Sequence, residues 1–174
     1  QAAASRIAAI VPHARLIAVL RDPADRAISH YFHSVRTGMD TRPIRQAFAE
    51  EHQHVPGEEQ RVLDNHYTSD RHRMWSYVAR GHYAQQIEAY YQHFSRDQLL
   101  VLKSEELFAD PQQAVTQVTD FLRVEPMELH NVKPLNTGSY AQSDSAEVEQ
   151  VRVELREYFR PHNQRLSELL DRDF

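Results

Sequence analysis

Apolar residues fall into two kinds of run along this chain. Leu16-Ile17-Ala18-Val19-Leu20 and Leu99-Leu100-Val101-Leu102 are continuous and of strand length. Continuous rather than alternating apolar character predicts strands covered on both faces, as in a parallel sheet. Elsewhere the spacing is helical. Ile28, Tyr31, Phe32 and Val35 fall at i, i+3, i+4 and i+7, a core-facing stripe, and Ile87, Tyr90, Tyr91 and Phe94 repeat it. Asp22 is suited to cap the first of these helices and Pro23 to open it, with Thr37-Gly38 as its end. Asp110-Pro111 gives the same start signal for a helix to Leu122. Helices are also predicted over 2–11, with Ile7, Ile10 and Val11 on one side, and over 42–52. Another runs from Asp144 or Ser145 to Phe159, and Pro161 starts a last short one. Pro56-Gly57 marks a surface loop, the polar stretch 62–80 yields no element, and 125–143 is a long aperiodic loop. Loops of that length are either functional or disordered.

Strand–helix alternation over 174 residues predicts a single α/β domain dominated by helix. Composition narrows its partners. Hydrophobic residues make up 41% and charged residues 26%, a globular mixture. The net charge of -5 argues against a general nucleic-acid binder, so any anion must be held by local groups. Lysine occurs only at 103 and 133; nearly all positive charge is arginine, whose fork suits phosphate. There is no cysteine, which excludes a disulfide framework and cysteine-ligated zinc. No apolar run approaches the ~20 residues of a membrane span. The expectation is a soluble, cytoplasmic protein.

LRDPADRAISHY, residues 20–31, carries the chemistry. In an open parallel sheet, ligands gather beyond the carboxyl ends of strands, at helix N-termini. Arg21 stands at such an end, before a helix whose free N–H groups and dipole favour an anion. Ser29 comes seven residues after Asp22 and so returns to nearly the same helical face, ~10 Å along the axis. A guanidinium and a hydroxyl so arranged can grip one phosphate. Arg26 either assists them or pairs with Asp22. Read alone, Arg21 and Ser29 equally fit a structural ion pair and a helix-facing hydroxyl.

LRDPADRAISHY resembles the 3′-phosphate-binding motif of sulfotransferases, which use 3′-phosphoadenosine 5′-phosphosulfate (PAPS) as sulfuryl donor. ARGHYAQQIEAYYQHFSRDQLLVLKSEELFADPQQAVTQVTDFL and SYAQSDSAEVEQVRVELREYFRPHNQRLSELL are similar to the family's closing strand segment and C-terminal loop and helix. Together they cover roughly residues 2–171. The resemblance implies a P-loop-like three-layer fold with a short parallel sheet. It implies that Arg21 and Ser29 bind the donor's 3′-phosphate, that Tyr83 packs near the adenine or belongs to the core, and that the loop at Asn136, Thr137, Gly138 and Tyr140 folds over the nucleotide. The expected product nucleotide is adenosine 3′,5′-bisphosphate.

The sequence departs from the family in two ways. The 136–140 loop offers only Lys133 and neutral residues where relatives carry a basic residue beside the glycine. The glycines, at 38, 57, 81 and 138, never precede a lysine, so the family's 5′-phosphosulfate loop and catalytic base are expected to be missing, leaving a partial, N-terminally incomplete and inactive domain. Two rivals stand beside this reading: a P-loop nucleotide kinase relative, and a non-catalytic remnant that binds a nucleotide or a partner. Acceptors compatible with the sequence are a small molecule, a glycan, a lipid or a carrier-bound chain. None of the eleven histidines joins a glutamate in a zinc arrangement, so no metal is expected. His66 or His82 is either an acceptor-site base or a loop residue, and Glu105-Glu106 reads as a helix start.

Overall fold

The two continuous apolar runs are strands. β1 (Leu16–Leu20) and β2 (Leu99–Lys103) pair in parallel, from Leu16 opposite Leu99 to Leu20 opposite Lys103. The computed structural model describes residues 2–65, 68–130 and 145–174. In chain order the remaining elements are α1 (Ala2–Ile10), α2 (Pro23–Arg36), α3 (Ile44–His54), α4 (Glu58–Asn65) and α5 (Asp70–Trp75). A single helical turn, Ala79–Gly81, precedes α6 (Tyr83–Tyr91), and α7 (Ser104–Ala109), α8 (Pro111–Leu122) and α9 (Ala146–Leu170) follow. The described residues are thus α/β and helix-rich, with a short parallel sheet. They form two compact units, one of residues 2–21, 84–130 and Phe174, the other of 22–65, 68–83 and 145–173.

The first unit is built on the sheet. α7 and α8 pack against β2, whose Leu99, Val101 and Leu102 are buried. β1 is covered less than its sequence predicts: Ile17 and Val19 remain 40% and 50% exposed, so apolar continuity there does not mean two covered faces. α1 also turns a different side inward. Ala4 is buried, whereas Ile10 is 80% exposed and Val11 lies beyond the helix, half-exposed.

The second unit is built on α2 and α9. Ala24, Ala27, Ile28, Tyr31 and Phe32 of α2 meet Val148, Val151, Leu155 and Phe159 of α9 in one core, which α3 joins through Ile44 and Ala47. Asp22 caps α2, accepting the Asp25 N–H at 2.8 Å, and Pro23 opens it as expected. Val35, expected inside, is exposed; its neighbour Ser34 is buried instead and donates to the Met74 carbonyl at 2.7 Å. The stretch 62–80, with no predicted element, holds the end of α4, all of α5 and the start of the 79–81 turn; α4 itself begins at Glu58, directly after the expected Pro56-Gly57 loop. The C-terminal helix does not break at Pro161. It runs unbroken to Leu170 because Phe159 and Leu166, on either side of the proline, are both buried in packing that outweighs the lost backbone hydrogen bond.

Candidate functional site

The start of α2 is braced by α9. Asp25 accepts from Arg152 Nε at 2.8 Å and Arg156 Nη2 at 3.1 Å, and Asp22 lies 3.8 Å from Arg156 Nε. The acidic residues of the first turn are therefore balanced from within the second unit. Arg21 directly follows β1 in the first unit; it is exposed and makes no ion pair among the described residues. Ser29 is half-buried on α2, in the second unit. Arg26 pairs with neither Asp22 nor Asp25. Its guanidinium donates to the Tyr77 carbonyl beside the Tyr83 hydroxyl, and burial pulls its pKa below the usual arginine range. Tyr83 is 6% exposed in the second unit. Asn136, Thr137, Gly138 and Tyr140 lie outside the described residues, as does His66.

Two buried carboxylates, both missed in the sequence, organise the second unit. Glu51 is 6% exposed, and its Oε2 and Oε1 accept the N–H groups of Val78 and Ala79 at 2.6 and 2.8 Å. Burial raises its pKa against the pull of those hydrogen bonds and of Arg26. The available signal was its position: Ile44, Ala47, Phe48 and Glu51 fall on one helical stripe, where a carboxylate has to find partners. Asp40 accepts from the Tyr77 hydroxyl at 2.7 Å and from Arg42 Nε and Nη2 at 2.9 and 2.6 Å. Burial works to raise its pKa, but the Arg42 hydrogen bonds prevail and hold it below the usual carboxylate range. Tyr77, completely buried, is pushed above the usual tyrosine range by burial.

Within the same unit a cavity of about 830 Å³ opens beside Glu51. Phe48 and Val55, Val78, and Val151 and Leu155 form its apolar walls. His82, at its edge, has Nε2 3.0 Å from the Tyr158 hydroxyl and its ring centroid 4.4 Å from that of His162. Burial, with His162 adding to it, lowers the His82 pKa. Among the described residues no group of His, Asp or Glu side chains is arranged to hold a metal, and no helix is long and apolar enough to cross a membrane.

Residues 5–159 match the sulfotransferase domain family, and the chain belongs to that family. It is 26% identical to mouse heparan sulfate glucosamine 3-O-sulfotransferase 3B1 over 99% of its length and 46% of that protein's. With mouse bifunctional heparan sulfate N-deacetylase/N-sulfotransferase 4 the identity is 29%, over 98% of this chain and 21% of the relative. The crystal structure of a sulfotransferase from Alicyclobacillus acidocaldarius matches with a TM-score of 0.71 and 32% identity, over 98% of this chain and 60% of that one. The P-loop-like fold expected from the sequence is thus the fold of a solved sulfotransferase. The chain spans less than half the length of the two curated relatives.

Proposed function

We propose that this chain is part of an enzyme that moves a sulfuryl group from PAPS to a hydroxyl or amine, and that it supplies the half that holds the donor's 3′-phosphate. The observation that carries the reading is Arg21: an exposed guanidinium directly after β1, without an ion pair among the described residues, in a chain matched to the sulfotransferase domain over 5–159. A dianionic phosphate calls for a forked cation and a neutral donor. Arg21 and the Ser29 hydroxyl have that chemistry, so the residues present fit the group.

The donor, when bound, supplies an activated sulfuryl group for in-line displacement. In this reading Arg21 gives two N–H donors to the phosphate and Ser29 a third, which fixes the nucleotide's orientation. Neither moves a proton. Tyr83 and the segment with Asn136, Thr137, Gly138 and Tyr140 are assigned to the nucleotide's adenine and outer side. No glycine of the sequence precedes a lysine, so the reading assigns no 5′-phosphosulfate loop and no catalytic base to these 174 residues. The relatives named for heparan sulfate make a glycan hydroxyl or amine the first acceptor class to test.

Calorimetry with adenosine 3′,5′-bisphosphate tests the reading. Saturable binding that Arg21→Ala weakens is expected; equal affinity in the variant would overturn it.

A further inference from the structure

The cavity beside Glu51 takes no part in the donor reading. Its volume of about 830 Å³ lies within the ~300–1,000 Å³ of small-molecule sites. Its walls are aliphatic and aromatic, contributed by α3, the 78–79 backbone and α9, elements that one core and one buried carboxylate already fix in place. It is a preformed hollow.

One arginine, three histidines and two carboxylates line it. The arginine on its wall, Arg45, is held by Glu154 in a two-pronged pair, Nη1 to Oε2 at 3.0 Å and Nη2 to Oε1 at 3.1 Å. His82 is kept neutral near pH 7 by burial. A polyanion therefore finds no unpaired guanidinium on the wall, and it meets the Glu51 and Glu154 carboxylates. An uncharged body with apolar faces loses nothing there and covers Phe48, Val151 and Leu155. Of the polar side chains on the wall, which include His52, His72 and Tyr158, Glu51 is the buried carboxylate. A carboxylate has about four acceptor positions on its two oxygens, and the Glu51 oxygens each take one backbone N–H, which leaves room for a further donor.

We propose that this cavity is a binding site for an uncharged small molecule with an apolar body of one or two rings and a hydroxyl group that donates to Glu51. No residue of its wall is among those assigned to the nucleotide, and the proposal does not depend on that assignment.

The test is calorimetry of the protein with 2-naphthol, 2-methoxynaphthalene and 2-naphthoate, with and without saturating adenosine 3′,5′-bisphosphate. One equivalent of 2-naphthol is expected to bind, unaffected by the nucleotide. The methoxy compound, which cannot donate, and the anionic naphthoate should each bind at least about tenfold more weakly, a difference of about 1.4 kcal/mol. Ala49→Trp and Ala79→Phe, at exposed small residues of the wall, should abolish binding while circular dichroism stays unchanged. Gln53→Trp, an exposed residue of α3 outside the wall, should leave it intact. Absent 2-naphthol binding, naphthoate bound as tightly, displacement by the nucleotide, or full binding in a folded Ala49→Trp or Ala79→Phe protein would each overturn the proposal. Should both variants fail to fold, the three-ligand comparison on the unaltered protein still decides it.

Discussion

Gly81 lies directly against the ring of Phe159: a Cβ at position 81 would stand 2.5 Å from Phe159 Cζ and 3.1 Å from Pro23 Cβ. Three segments far apart in sequence meet there: the start of α2, the glycine before Tyr83, and the Phe-x-Pro of α9. Glycine is needed for close approach, since Phe159 is completely buried and has no open side to swing into. Gly81→Ala should therefore destabilise the protein by about 1–3 kcal/mol, read as a lower urea midpoint. Phe159→Leu costs stability by itself, yet combined with Gly81→Ala the losses should fall short of additive by about 1 kcal/mol. Strict additivity would show that the two residues do not touch.

Asp40 gathers the Tyr77 hydroxyl and the Arg42 fork at a site where it is itself almost wholly buried. Asp40→Ala strands a buried phenol and leaves the guanidinium with Glu50, 3.3 Å away, and the Trp75 ring, whose centroid is 4.4 Å away. The expected loss is about 2–4 kcal/mol. Tyr77→Phe removes one hydrogen bond and leaves the ion pair, so about 1 kcal/mol is expected. Chemical denaturation of both variants checks the ranking; a larger loss in Tyr77→Phe would reverse the roles given to the two groups.

These two centres mark the limit of what the sequence discloses. Capping is local, so Asp22-Pro23 and Asp110-Pro111 announced α2 and α8, and the stripe Ile28, Tyr31, Phe32 announced the face that meets α9. The stripe of Ile44, Ala47 and Phe48 places Glu51 inward but does not name its partners, because the N–H groups that justify its burial stand 27 and 28 residues away. Pro161 reads locally as a break, and only the burial of Phe159 and Leu166 keeps the helix whole. Continuous apolar character in β1 states what favours cover, not what receives it, hence the exposed Ile17 and Val19. Of the candidate site, Arg21 and Ser29 were legible as residue types at a spacing. The direction of Arg26, toward the Tyr77 carbonyl, was not, since that partner is 51 residues away.

His30 makes stability depend on pH. Burial, with the Arg80 and Arg26 cations adding to it, lowers its pKa from 6.5 to about 4, and its ring stands edge-on to Tyr77 at 5.1 Å. Between those values the unfolded chain binds a proton that the fold refuses, so stability rises with pH there. The contribution is fully present above about pH 6.5 and is lost as pH falls through 4. His30→Phe keeps the ring contact without the proton, and its stability should fall less steeply over that window. Parallel profiles, measured by urea midpoints at successive pH values, would assign the acid response to other groups.

The phosphate assignment makes a demand that general damage to the fold does not. If Arg21 and Ser29 grip the 3′-phosphate, their substitution must weaken adenosine 3′,5′-bisphosphate and leave adenosine 5′-monophosphate, which lacks that group, unchanged. Arg21→Ala should cost about 2–4 kcal/mol of bisphosphate affinity by loss of a charge-assisted fork. Arg21→Lys should recover only part of it, because an ammonium supplies the charge without the two parallel N–H donors. Ser29→Ala, which removes one hydroxyl donor to an anion, should cost about 1.5–3 kcal/mol. Calorimetry with both nucleotides decides the matter. Equal losses for the two would mean that the residues support the nucleotide site indirectly and do not touch the phosphate.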